Sequence, residues 1–226
     1  HLKSVKQFKN IKLITHQSDV SIKKSDFDMK PNCISKWYAI NVNYNHHDLV
    51  PIPIGIGNDS NLKTLTSSNF SKSIEDNEKI NKIYLNFNLN TNYKHRYKAL
   101  KIFYNTECSF IEKPHQNLQI FRDNLGKYKF SLAPWGNGFD THRLWEALYA
   151  GSIPVTLAHP SLKSFQDFPI IQLDSYSEFN IKEKKFEDYK YFFNEKLNIN
   201  WWHEQINDFQ INSDNNFIEF NENKDV

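Results

Sequence analysis

An α/β fold built on parallel strands is what this sequence predicts. Short apolar runs alternate with segments of helical period between residues 83 and 173. Polar loops follow the carboxyl ends of those runs, where ligands of open α/β sheets bind. Residues 126–157 spell out a strand, a glycine loop, a helix and a strand in succession.

Ile11–Thr15 is the first predicted strand, and His16-Gln17-Ser18-Asp19 is the loop at its carboxyl end. Trp37–Asn41 is the second strand and Val50–Ile56 the third. Its two prolines mark an edge or a strand end, because proline cannot donate to a ladder. Residues 57–82 are rich in Ser, Asn, Asp and Lys and hold one weak helix candidate at 73–82. This polar stretch is the expected linker, with a domain boundary near residue 80 dividing the chain into 1–80 and 81–226. Ile83–Phe87 then opens the second half as a strand. Tyr93–Tyr104 reads as a helix on the stripe Tyr93, Tyr97, Leu100 and Tyr104. Gln116–Leu125 is a further helix, closed by Gly126. Ile170–Leu173 is a strand ended by Asp174. From Glu178 the chain reads as helical and charged, with Trp201 and Trp202 opening a last helix.

Within 126–157, Tyr128–Ala133 is an apolar run stopped by Pro134. Gly136 and Gly138 flank Asn137, so the backbone can turn sharply and another group can come close. Asp140 or Thr141 is a natural N-cap for a helix near 141–150, with Gly151 at C′ and Ser152–Leu157 as the next strand. A glycine loop that opens a helix aims free N–H groups and the positive dipole end at an anion, typically a phosphate. Arg143 sits in the first turn, where the dipole disfavours a cation, and an anionic ligand would offset that placement. Glu146 shares its face, three residues on. Arg143 on a diphosphate and Glu146 on ribose hydroxyls would grip a nucleoside diphosphate. The alternative is an ordinary surface ion pair between them.

At 226 residues the chain can hold one large domain or two small ones, and an aromatic content of 15% supplies apolar mass for a core. The mean hydropathy of −0.68 reflects a polar surface rather than disorder, since apolar runs recur throughout. A net charge of +2 gives no global field for nucleic acid, and the sequence is read as having no basic stripe with interleaved aromatics. Cys33 and Cys108 are too few for a disulfide framework or a thiolate metal site and are expected as free thiols in a reducing cytosol. No apolar run is long enough to span a bilayer. The chain begins at His1 rather than Met, so any leader, anchor or upstream segment lies outside it.

The run from Lys129 through Val155 resembles the donor-binding signature of exostosin-like glycosyltransferases of the GT47 type and their short bacterial and viral relatives. The residues that carry the likeness are the Gly-Asn-Gly loop at 136–138, Asp-Thr-His-Arg at 140–143, Trp-Glu-Ala-Leu at 145–148 and Gly-Ser-Ile-Pro-Val at 151–155. Thr15–Asp19, Lys36–Asn41 and Ile52–Ile56 follow the same family's order upstream, with Gln17 where relatives often carry Asn. The resemblance implies a GT-B-like fold of two Rossmann-like halves. A reduced acceptor-side half at 1–80 would face a donor-binding half at 81–226 that ends in helices. It also implies transfer of a sugar from a nucleotide-sugar donor to a glycan or lipid-linked saccharide, with no metal and no other cofactor. A fucosyltransferase-like enzyme is the near neighbour, and a non-catalytic nucleotide-sugar or glycan-binding module of the same fold is the alternative. The expected partners are the nucleotide sugar and a saccharide or glycolipid acceptor. Peripheral contact with a membrane is also expected, with a cytoplasmic placement and no nucleic acid.

Candidate site residues follow. Asp19 and His16 are the acid–base candidates outside the signature, against a turn cap and a backbone-satisfied imidazole. Gly136, Asn137, Gly138, Asp140, Thr141, His142, Arg143 and Glu146 are the donor-side set, in which Asp140 doubles as a helix cap and His142 as a solvated residue. Arg96 follows an Asn-rich turn and would add a second clamp on the diphosphate, or form a structural salt bridge. Trp135 either stacks on a base or sugar or wedges helix against sheet. His46-His47-Asp48 lacks a third and fourth ligand in register and is read as no metal site.

Overall fold

The computed structural model describes residues 9–57, 65–70, 79–114, 117–189 and 195–207. The chain falls into two compact units, His1–Phe192 and Phe193–Val226. The first contains two parallel sheets.

In the smaller sheet β1 (Ile11–Thr15), β2 (Ile34–Ala39) and β3 (Leu49–Pro51) lie in that order, all parallel. Parallel neighbours need crossovers. The one between β1 and β2 carries a five-residue helix, α1 (Lys24–Asp28), which sets Phe27 against Trp37, Ala39, Val42 and Leu49. The third strand is shorter than the predicted 50–56. Ile52 N–H still donates to Ala39 O at 3.0 Å, but Pro53 has no N–H to continue the ladder and Gly55 turns the chain at φ +70°.

The larger sheet contains β4 (Ile80–Leu85), β5 (Ser109–Ile111), β6 (Tyr128–Leu132), β7 (Ile153–Leu157) and β8 (Ile171–Leu173). Their order is β5-β4-β6-β7-β8, all parallel. Counted from β4 this is the doubly wound order 2-1-3-4-5, whose switch point falls between β4 and β6. Alternation along β4 explains the two layers. Ile83 and Leu85 join Phe130, Leu132 and Val155 beneath α2 (Tyr93–Phe103), while Tyr84 faces α3 (Leu118–Lys127) and α4 (His142–Tyr149).

The 126–157 unit forms with the predicted order. Gly151 takes φ +70° just past α4 and donates to Leu148 O at 3.0 Å, as a C′ glycine does. Lys79 lies buried at the opposite end from the glycine loop, donating to Gly126 O at 2.6 Å and Ala150 O at 3.3 Å. A cation there complements the carboxyl ends of α3 and α4.

Several expectations are corrected. The exposed side of α2 carries Tyr93 and Tyr97, with Tyr104 exposed at its C-cap, and its buried side is Arg96, Ala99 and Phe103, so the aromatic stripe faces outward. Lys94, Lys98 and Lys101 also lie exposed on this helix, which makes it a basic, tyrosine-bearing face that the sequence reading did not find. Residues 80–82 belong to β4 rather than to a helix at 73–82, and 73–78 lie outside the described residues. In the polar 57–82 stretch, Leu65 is fully buried against Tyr84, Phe121 and Leu125, because one apolar side chain there anchors the crossover to the core. Beyond Glu178 the first unit continues in a short 3₁₀ turn at Phe186–Tyr189. In the second unit a turn at Glu195–Leu197 precedes α5 (Ile199–Asn207), where Trp202 Nε1 donates to Lys196 O at 2.8 Å.

Cys33 and Cys108 are free thiols. Among the described residues, no helix is long and apolar enough to cross a membrane.

Candidate functional site

The carboxyl-end loops of the two sheets meet. Three successive residues after β3 receive three side chains from elsewhere in the sequence. His16 Nε2 donates to Pro53 O at 3.3 Å, Ile54 N–H donates to Asp140 Oδ2 at 2.7 Å, and His142 Nδ1 donates to Gly55 O at 2.7 Å. A carbonyl can only accept, so the ring nitrogen that faces it carries the proton in each imidazole.

Asn41 is the second tie, and the sequence reading missed its role. It ends the run after β2 at φ +53°, the left-handed region that Asn tolerates, and is buried. Its Oδ1 accepts from Asp140 N–H at 2.9 Å while its Nδ2 donates to Ser18 O at 2.9 Å. One side chain thus holds the loops that leave β1 and β6. Gly138 is required by that contact, since a Cβ there would sit 2.5–2.8 Å from the Asn41 amide. A lone asparagine at a strand end carries no periodic signal. Farther along, Ser161 Oγ donates to Val42 O at 2.9 Å.

Asp140 is fully enclosed. Its Oδ1 accepts from Trp145 Nε1 at 2.7 Å and its Oδ2 from Ile54, so the carboxylate clips α4 to the smaller sheet. Burial pushes its pKa up to about 7, against the pull of the Ile54, Trp145 and Thr141 hydrogen bonds. Thr141 rather than Asp140 is the N-cap residue of α4, and it makes no side-chain cap hydrogen bond.

At the switch point, Arg96 reaches from α2 between the ends of β4 and β6. Its Nε donates to Trp135 O at 3.0 Å and its Nη1 to Asn88 O at 2.7 Å. Gly136 makes room for it: a Cβ would come within 3.1 Å of Arg96 Nη2 and 3.6 Å of Thr141 Cγ2. Asn92 Nδ2 holds the Gly136 carbonyl at 2.8 Å. Neither Gly136 nor Gly138 has a positive φ, so close approach and not an unusual turn explains both. Arg96 makes no ion pair among the described residues, so the salt-bridge alternative does not form there. Burial, followed by the positive charge of nearby Arg143, lowers its pKa to about 10, and it remains a cation at neutral pH.

Arg143 and Glu146 do pair, Nε to Oε2 at 3.2 Å, but with side chains 19% and 8% exposed this is a half-buried link and not a surface one. Arg143 Nη1 also donates to Asn86 O at the end of β4, and the guanidinium lies 4.1 Å over the Phe121 ring. Asn86 Nδ2 in turn reaches Glu112, which also receives Tyr84 Oη and Asn124 Nδ2. Asp19, exposed at the end of its loop, accepts from Asn137 Nδ2 at 3.2 Å.

Trp135 packs among aromatic rings: it stacks on His95 at 4.7 Å and 7° and meets Phe139 and His159 edge-on, while its buried Nε1 has no hydrogen-bond partner among the described residues. His159, whose Nδ1 accepts from Ser161 N–H at 3.2 Å, is pushed down to about 4 by burial and stays neutral.

His46, His47 and Asp48 put one ligand atom each within 4.8 Å of one another at the amino end of β3, away from these loops. His46 Nδ1 there accepts from Asp48 N–H at 3.0 Å.

No protein-family model matches this chain, and no curated protein matches its sequence. What the site does is therefore carried by its own chemistry.

Proposed function

We propose that this chain is a glycosyltransferase of GT-B-like arrangement that uses a nucleotide-sugar donor. The observation that carries the reading is the buried Arg96 cation, which has no carboxylate partner among the described residues and lies beside Gly136 at the switch point of a doubly wound sheet. A buried charge is costly unless paired, and a diphosphate would supply the missing anion. The amino end of α4, where Thr141 makes no side-chain cap hydrogen bond, also lies beside Gly136, and Arg143 adds positive potential nearby. Offset of leaving-group charge by arginines and a helix dipole needs no metal.

In the transfer, an acceptor hydroxyl oxygen bonds to the anomeric carbon as the bond from that carbon to the diphosphate oxygen breaks. The nucleoside diphosphate leaves against Arg96 and α4. In an inverting course the hydroxyl proton passes to a base on the opposite wall, and Asp19, facing Asn137, is the carboxylate that the smaller sheet offers. His16 and His142 present pinned imidazoles along the same loops.

The test is release of nucleoside diphosphate from a panel of nucleotide sugars, with and without saccharide acceptors. Acceptor-dependent release supports the transferase. Binding without release favours a non-catalytic module, and the preferred donor separates fucosyl from other transfer.

A further inference from the structure

Helix α2 has two working sides. Its inner side delivers Arg96 to the switch point; its outer side is covered by neither sheet. Tyr93 and Tyr97 are 57% and 47% exposed there, one turn apart on a helix that runs for ~16 Å at 1.5 Å per residue, and Tyr104 at its C-cap is 61% exposed. Lys94, Lys98 and Lys101 fall at i, i+4 and i+7 and form a second exposed stripe beside the first. The helix contains no acidic residue, and none of the three lysines makes an ion pair or hydrogen bond among the described residues.

We propose that this face docks on an anionic lipid bilayer. Tyrosine favours the headgroup boundary, with its ring toward the acyl chains and its hydroxyl toward water. Lysines beside it lay their stems on the same boundary and hold their ammonium groups against lipid phosphates. Nucleic acid shares the negative charge but would ask for open ring faces to stack on. Tyr93 and Tyr97 stack on each other at 5.4 Å and 12°, which occupies one face of each ring. An exposed row of this kind suits a flat surface. The proposal goes beyond the transferase reading and does not depend on it.

The experiment is co-sedimentation of the whole chain with vesicles of phosphatidylcholine alone and of phosphatidylcholine mixed with phosphatidylserine. The wild-type protein is expected to bind the mixed vesicles, to bind more weakly as salt is raised, and to leave the neutral ones largely alone. The triple variant Lys94→Gln/Lys98→Gln/Lys101→Gln should bind the mixed vesicles about tenfold less tightly or worse. Tyr93→Ser/Tyr97→Ser should lose binding at low salt as well, where charge alone is strongest. All five substitutions are on exposed side chains, and circular dichroism confirms the fold. Equal binding to both vesicles, or lysine variants that bind like wild type, overturns the proposal. Tighter, lysine-dependent binding to a single-stranded oligonucleotide overturns it in favour of nucleic acid. Tyrosine-dependent self-association without vesicle binding overturns it in favour of a second copy. Calorimetry with a nucleoside diphosphate keeps the two readings apart: lost vesicle binding with retained nucleotide binding removes only the docking face, and the converse removes only the transferase.

Discussion

Asn137 Nδ2 donates to Asp19 Oδ2 at 3.2 Å, tying the loop that leaves β6 to the loop that leaves β1 across 118 positions of sequence. A carboxylate from the smaller sheet thereby stands beside the glycine loop of the larger one. Asp19→Asn preserves a side chain able to pair with Asn137 but removes the basic oxygen. Turnover should fall by ~10²-fold or more with donor affinity nearly unchanged, because only proton transfer is lost. Steady-state release assays beside calorimetry check this, and unchanged turnover would return Asp19 to a turn-capping role.

Asn41 joins three loops with two hydrogen bonds, the one from Asp140 N–H buried and the one to Ser18 O half-buried. Asn41→Ala should cost ~2–4 kcal/mol, as each bond contributes about 1 kcal/mol and the Asp140 N–H is left unsatisfied. Gly138→Ala should damage the same joint by displacing the Asn41 amide. Chemical denaturation of both single variants and the double is the measurement. The double should cost less than the sum, since the two act on one contact.

Asp140 makes stability depend on pH. Its pKa rises from an ordinary 3.8 to about 7 in the fold, so between those values the native state holds a proton that the unfolded chain releases. Its contribution is therefore greatest below pH ~4, declines as pH rises to ~7 and is level above, a span on the order of 4 kcal/mol. Asp140→Asn should remove that slope. At acid pH, where wild-type Asp140 holds its proton, the variant should be less stable by ~1–3 kcal/mol, because the new Nδ2 meets an N–H donor where an oxygen stood, and this deficit should shrink and reverse as pH rises to ~7. Denaturant midpoints across pH in both proteins test the sign.

Arg143→Ala should destabilise the fold, because Glu146 is left buried without its cation. Replacing both, as Arg143→Met/Glu146→Leu, should recover much of that loss. Nucleoside-diphosphate affinity should not recover if Arg143 supplies positive potential to the ligand. Recovery of both would assign the pair to packing alone.

What the sequence disclosed depended on pattern length. The 126–157 unit was legible because a whole strand, a Gly-Asn-Gly loop, an eight-residue helix and its C′ glycine punctuate one another. By contrast, β5 has three residues and α1 five, too few for a period to register. The outward turn of α2 was hidden because its buried side includes Arg96, which pattern counting assigns to solvent. Within the site, the glycine loop, Asp19 and Arg96 were visible as residue types in suitable places. The Asn41 joint and the backbone row Pro53-Ile54-Gly55 were not, because they act through one left-handed residue and through main-chain groups.

The most direct measurement is calorimetry of nucleoside diphosphates against the wild-type chain and Arg96→Lys, with Gly136→Ala as a second variant that crowds Arg96 Nη2 without removing its charge. Wild type should bind, and both variants should lose ~1.5–3 kcal/mol of affinity while keeping native circular dichroism. A folded wild-type chain that binds no nucleoside diphosphate, or an Arg96→Lys variant that binds as tightly as wild type, would contradict the account.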